Sequence, residues 1–273
     1  MSDPGASPII SSVHSLSRAI SALTRGENEQ QHFELAAQRI QHALLDIAIP
    51  SVPGFDMGMC AEPARLVGGD YIDLYKSPAG ALVFGLGDAS GKSLAAALNS
   101  LMLRYLVRGL VRALDADDLV SVVTHANVVL YEDMADDDFI TFLLGAVDCD
   151  TGQLRVVNAG HEPPLILARD AQDTITLDCH DIVLGISETT DYRQEEYLLR
   201  PGDTAVFYTD GLTEATDTHG EMYTIAGLKK ELVRSRHLSA QDLATAMFEA
   251  VKSYAVAPLR DDSTIFILRR TTV

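Results

Sequence analysis

Four aspartates stand where a carboxylate can do chemistry. Asp70 closes Val67-Gly68-Gly69 and opens a strand, and Asp88 ends a strand and begins a glycine-containing turn. Asp210 follows the apolar run Ala205-Val206-Phe207-Tyr208 and precedes Gly211. Asp261 and Asp262 lead directly into Thr264-Ile265-Phe266-Ile267-Leu268. A strand end is rigid, and a neighbouring glycine lets backbone approach a ligand closely. Taken alone, any one of them is a turn residue or a helix cap. Four in the same structural position suggest convergence on one edge. Softer metal ligands are missing: the eight histidines include no HExxH or similar pair, and Cys60, Cys149 and Cys179 form no CxxC. A carboxylate site of this kind selects hard cations, Mg²⁺ or Mn²⁺.

Two motifs imitate other chemistries. The stretch Gly85-Leu86-Gly87-Asp88-Ala89-Ser90-Gly91-Lys92-Ser93 looks like a phosphate-binding loop. Such a loop needs four residues before Gly-Lys-Ser; Gly85 leaves five and Gly87 leaves three. Asp88 in the turn would also repel a nucleotide phosphate. Asp148-Cys149-Asp150 resembles an aspartyl-phosphate nucleophile, but Gly152 stands where Thr or Val belongs. Between two apolar runs it reads as turn chemistry.

The elements that position the aspartates follow from pattern. Phe55–Cys60, Asp70–Lys76 and Ala81–Leu86 read as strands, the last two joined through Ser77-Pro78-Ala79-Gly80. Lys92–Leu114 and Asp117–Tyr131 are helical by period. Phe139–Val147 and Leu154–Asn158 bracket a second hairpin turn, and strands follow near Leu165, Ile175, Glu196 and Val206. Helices around Leu228 and Leu243 precede a last strand, Ser263–Leu268. Strands joined mainly by hairpins, with helices in pairs, predict an α+β fold of antiparallel sheets carrying helices on their faces.

Ahead of this domain, expected over 51–273, residues 1–50 form a Ser/Pro/Gly-rich tail and two amphipathic helices. Val13, Leu16, Ile20 and Leu23 make one seam; Phe33, Ala36, Ile40, Leu44 and Ile47 make the other. These helices fold back onto their own domain, or serve as a homodimer interface or a regulator's docking site.

Composition limits the partners. Of 273 residues 47% are hydrophobic and 22% charged, ordinary for a globular chain. The net charge of −18 repels nucleic acid and anionic membrane. Three unpaired cysteines and an N-terminus without basic or apolar signal regions fit a reducing, cytoplasmic setting. The acidic run Glu132–Asp138 reads as a solvated loop.

Six segments in register resemble the SpoIIE/RsbU family of bacterial PPM-type (protein phosphatase 2C superfamily) serine/threonine phosphatases. They are Ala64-Arg65-Leu66-Val67-Gly68-Gly69-Asp70-Tyr71-Ile72-Asp73, Gly87-Asp88-Ala89-Ser90-Gly91-Lys92 and Asn158-Ala159-Gly160-His161-Glu162-Pro163-Pro164-Leu165. Leu184-Gly185-Ile186, Phe207-Tyr208-Thr209-Asp210-Gly211-Leu212-Thr213-Glu214-Ala215 and Arg260-Asp261-Asp262-Ser263-Thr264 complete the set. Together they span roughly residues 35–270.

The resemblance implies a four-layer αββα sandwich with a centre for two divalent cations, Mn²⁺ or Mg²⁺, at one edge. By matching position, Asp88 bridges both ions, Asp210 and Asp261 complete one site, and Asp70 serves the second. The Ala89 carbonyl also faces the metals. Asp88 and Asp210 would then be catalytic through activated water. The implied substrate is a phosphorylated STAS-domain anti-anti-sigma-type protein in a partner-switching pathway. Eukaryotic relatives carry a proposed general-acid histidine where this chain has Ser90, and His161 reads as a structural turn residue rather than a substitute. The competing reading is a catalytically silent binding module on the same fold; the presence of all four aspartates favours the enzyme.

Overall fold

The computed structural model describes residues 39–271 apart from 41–43, 46, 66–67, 92–93, 115–117, 136, 178–180 and 257. The seam through Val13, Leu16, Ile20 and Leu23 lies outside the described residues, as does the proposed dimer or regulator contact on it. Of the second seam, Ile40, Leu44 and Ile47 are described: Ile40 and Leu44 are buried among the helices that cover one sheet, and Ile47 packs partly buried against the layer between the sheets.

Among the described residues, ten strands form two five-stranded antiparallel sheets. The first sheet holds β1 (Phe55–Glu62), β6 (Leu165–Leu167), β7 (Ile175–Thr176), β9 (Thr204–Tyr208) and β10 (Ser263–Arg270), in the order β1-β10-β9-β6-β7. The second runs β2-β3-β4-β5-β8, from β2 (Asp70–Lys76), β3 (Leu82–Ala89), β4 (Ile140–Val147), β5 (Gln153–Ala159) and β8 (Gln194–Leu198). Helices α1 (Leu94–Leu114) and α2 (Leu119–Asp133) cover the second sheet; α4 (Thr224–Ser235) and α5 (Ala240–Tyr254) cover the first. The one-turn α3 (Asp210–Thr213) follows β9.

Strand periodicity sorts the core into layers, because alternate side chains face opposite sides of a sheet. In β10, Phe266 and Leu268 point between the sheets, whereas Ile265 and Ile267 meet α4 and α5. In β3, Leu82, Phe84 and Leu86 join the intersheet layer and Val83 joins the α1/α2 layer. Phe84 sits at the centre, 4.5 Å from the ring of Phe207 and 5.4 Å from that of Phe266. Opposite Phe84 in register is Gly145, where an added Cβ would lie 2.1 Å from the Phe84 ring. The glycine makes room for the ring. Because helices cover both outer faces, the central strands are apolar almost throughout rather than alternating.

Helix α1 is long and apolar enough, at a mean hydropathy of 1.3, to cross a membrane by composition alone. Its apolar residues Ala96, Ala97, Leu101, Leu103, Val107 and Val111 are instead buried against the second sheet and α2. An ion-pair cluster fastens it there: Asp73 on β2 meets Arg104 at 3.3 Å and Arg108 at 2.6 Å. Helix α2 runs to Asp133, so the acidic run begins inside a helix. Asp118 caps α2, its side chain accepting from the Ser121 N–H at 3.0 Å.

Candidate metal centre

Two strands of each sheet end at one edge of the sandwich, and each delivers a carboxylate. Asp70 is the first residue of β2 and lies directly across from Asp88, near the end of β3. From the other sheet, Asp210 opens α3 immediately after β9, and Asp261-Asp262 precede β10.

Asp70 is 1% exposed. Its Oδ2 accepts hydrogen bonds from Thr209 Oγ1 and Thr264 Oγ1, both at 2.8 Å, so the second sheet's aspartate is held by hydroxyls of the first. Thr209 Oγ1 in turn accepts from the Thr264 N–H at 2.9 Å. The other oxygen, Asp70 Oδ1, is buried without a hydrogen-bond partner. Burial first, then the charges of Asp88 and Asp262, push the Asp70 carboxyl well above the ordinary carboxylate range.

Asp262 fixes the approach to Asp70. Its Oδ1 accepts from the Ala64 N–H at 2.8 Å and its Oδ2 faces the Asp70 N–H at 3.5 Å. A Cβ on Gly68 would fall 1.5 Å from Asp262 Oδ2, and one on Gly69 would fall 2.4 Å from the Ala89 carbonyl oxygen and 2.6 Å from Asp88 Oδ1. These two glycines are what lets the β2 entrance press against the acidic edge. Ser100 of α1 donates its hydroxyl to the Gly69 carbonyl, tying helix α1 to the same turn.

Asp210 Oδ1 is likewise buried without a partner. Burial, followed by the charges of Asp261, Glu214 and Glu162, raises its pKa from 3.8 to about 6. Asp261 accepts the Asp262 N–H at 3.0 Å. Between the halves lies a cavity of about 40 Å³ lined by Asp88, Thr141, Gly160, His161, Glu162 and Asp210. The carboxylates thus form two groups, Asp70 with Asp88 and Asp262, and Asp210 with Asp261, and Asp88 reaches both through the cavity. Among the described residues no three Asp, Glu, His or Cys side chains close into a ready-made ion-binding cluster.

His161, 3% exposed, is more than a turn residue. Asn158 does clamp its backbone, accepting from its N–H at 2.7 Å and donating to its carbonyl at 3.0 Å. The ring, however, lines the cavity, with Nδ1 3.0 Å from Thr141 Oγ1 and Nε2 buried without a partner. Burial lowers its pKa to about 4, so it is neutral at physiological pH. Ser90 Oγ accepts from the Phe139 N–H at 2.9 Å and so shapes the loop after Asp88.

Sequence reasoning passed over Thr209, Thr264 and Thr141. Thr209 and Thr264 lie inside the matched segments and Thr141 lies outside them, but nothing in one sequence shows that a threonine of one sheet faces an aspartate of the other. Glu162 is similar: its place beside Asp210 depends on the turn at Gly160, whose φ is +70°.

Residues 78–271 match the family described as Stage II sporulation protein E (SpoIIE). The phosphoserine phosphatase RsbU of Bacillus subtilis is 28% identical over 241 residues, covering 88% of this chain and 70% of its own length. The SiaA-PP2C domain of Pseudomonas aeruginosa superposes with a TM-score of 0.70 at 20% identity, over 94% of this chain and 96% of that domain. A structure of the RsbU and RsbW domains of Rv1364c from Mycobacterium tuberculosis gives a TM-score of 0.68 at 24% identity, over 82% of this chain and 63% of that one. The shared sandwich and the acidic edge at its strand ends accord with the extent of the family match: the chain belongs to the SpoIIE family, within the SpoIIE/RsbU type of PPM phosphatases.

Proposed function

We propose that this chain is a metal-dependent phosphatase acting on phosphoserine or phosphothreonine of a STAS-domain anti-anti-sigma-type protein in a partner-switching pathway. One observation carries the reading: two buried carboxylate oxygens, Asp70 Oδ1 and Asp210 Oδ1, lack any hydrogen-bond partner on either side of Asp88. Buried carboxylates without donors are costly unless a cation takes the donor's place. The donor set is all oxygen, which fits Mg²⁺ or Mn²⁺. Asp88 would bridge two ions, with Asp210 and Asp261 on one, Asp70 on the other, and the Ala89 carbonyl beside them.

When bound, such a pair of cations activates water near neutral pH and neutralises phosphoryl oxygens. The chain's own part is positioning. Thr209 and Thr264 hold Asp70 by one oxygen and leave the other aimed at the edge. Asp262 holds the β2 entrance, and the Gly69 turn keeps the Ala89 carbonyl in reach. Neutral His161 anchors Thr141 rather than acting as an acid at pH 7. Two divalent ions would offset the charge of the four proposed ligand carboxylates, which eases the approach of a phosphate dianion despite the overall −18.

Hydrolysis of p-nitrophenyl phosphate by the full chain tests this. Turnover with Mn²⁺ or Mg²⁺, its loss in EDTA and its return on adding either ion are the expected results. Activity surviving exhaustive chelation would refute the metal-dependent reading. Binding of a phosphorylated STAS protein without any turnover would favour the silent module.

A further inference from the structure

A second cavity, about 540 Å³, opens directly off the acidic edge. Gly211 and Asp261 form its inner end; Thr216, Met222, Val256 and Leu259 line its walls. Its size is that of a ligand-binding cleft, whereas the 40 Å³ cavity at Asp88 has room for little beyond the reacting centre.

The walls are built. One is the hairpin joining α3 to α4, closed by a bridge between Thr216 and Met222. Asp217 accepts the N–H groups of His219 at 2.8 Å and Glu221 at 3.0 Å, and Gly220 turns the tip at φ +83°. Tyr254 at the end of α5 donates its hydroxyl to the Glu221 carbonyl at 3.1 Å, and its ring meets Tyr223 edge-on at 5.2 Å. The other wall, the segment after α5, is tied to the first where the Val256 N–H reaches the Thr216 carbonyl at 3.4 Å. Where this hairpin enters α4, Thr224 has φ +63°, a conformation a β-branched residue adopts only when its surroundings impose it.

This scaffold holds apolar side chains out in the open: Met222 is 54% and Val256 59% exposed. Of the ionisable residues lining the cleft, Glu214, Asp217 and Asp261 are acidic against the single Arg260. A cleft that starts at the reacting centre, is walled by exposed aliphatic side chains and is net acidic fits polypeptide, apolar and basic, running away from a phosphorylated residue. We infer that it receives the segment flanking the phosphoserine of a protein substrate and selects an aliphatic side chain next to a lysine or arginine. The inference rests on the phosphatase reading and adds its specificity.

Three fluorescein-labelled phosphoserine decapeptides test it with the full chain and Mn²⁺: one with Leu and Lys on both sides of the phosphoserine, one with Leu and Glu, one with Gly throughout. Anisotropy gives binding, and kcat/KM relative to p-nitrophenyl phosphate gives turnover. The Leu/Lys peptide should bind and turn over about tenfold better than the Gly peptide. Met222→Ser with Val256→Ser, both at exposed positions, should remove the advantage of leucine. Thr218→Lys, on the exposed rim, should cut the preference for Lys over Glu severalfold. Peptides bound within twofold of one another, or variants that keep the full wild-type preferences, would overturn the inference. A ranking kept in binding without turnover of any substrate would leave the cleft standing and refute the phosphatase reading.

Discussion

Replacing Asp210 with Asn should stabilise the metal-free protein, against the usual direction for a substitution at a buried polar site. The carboxyl sits beside Asp261, Glu214 and Glu162, and its folded-state pKa is about 6 against an ordinary 3.8. An acid whose pKa is raised by folding binds its proton more tightly in the native state. Stability therefore falls as pH rises between these two values and stays lowered above the upper one. At 1.36 kcal/mol per pH unit, the separation from 3.8 to about 6 amounts to about 3 kcal/mol above pH 7. At pH 5.2, where native Asp210 is mostly protonated, the same linkage leaves about 2 kcal/mol. Asn keeps the shape and an acceptor for the Gly211 N–H but has no charge, so Asp210→Asn should recover most of this. For a chain of this size that is roughly 3 to 8 °C in Tm at pH 7.8. The assay is calorimetry in EDTA at pH 7.8 and 5.2, repeated with Mn²⁺, which should stabilise wild type by mass action and the variant much less. A variant that melts lower in EDTA at pH 7.8, or whose gain does not shrink at pH 5.2, would show Asp210 to be a solvated turn residue and remove it from the site.

Substitutions at three further positions probe the frame. Thr264→Val takes away one of the two hydroxyls on Asp70 Oδ2 and should cost about 1–3 kcal/mol in urea unfolding, with Thr264→Ser restoring most of it. Gly145→Ala drives a methyl group into the Phe84 ring and should cost about 1–3 kcal/mol. Gly109→Ala, in α1 with open space around it, should instead gain about 0.5–1 kcal/mol; thermal melts of the pair decide whether packing or mere loss of glycine is responsible.

The hairpins were legible because their turn chemistry is local. Gly80 and Gly152 take positive φ where the sequence shows Ser-Pro-Ala-Gly and Asp-Cys-Asp-Thr-Gly, and Asp148 caps its own turn through the N–H groups of Asp150 and Thr151. The distribution of strands between sheets was not legible from periodicity, because β1 pairs with β10 across most of the chain and β6 passes over β8 to pair with β9. The same distance hid the site's supports. Asp70, Thr209 and Thr264 meet only because the two sheets face each other, and the relation leaves no trace in local spacing. His161 was half legible: the turn pattern announced its backbone, but its ring's place beside Thr141 depends on β4.

The pairing of β1 with β10 bears on how the protein is made. All eight residues of β1 find their partners in Ser263–Arg270, and β10 also supplies the neighbour of β9. Until β10 is synthesised, the first sheet lacks the strand that joins β1 to β9, β6 and β7. Asp261 and Thr264, which complete one carboxylate group and secure Asp70, arrive with that same strand. The acidic edge therefore cannot be assembled before β10 is made. A nascent chain, or a fragment cut short before Asp261, should carry the second sheet and its helices yet remain inert. Any assay of truncated forms will lose the centre and the first sheet together.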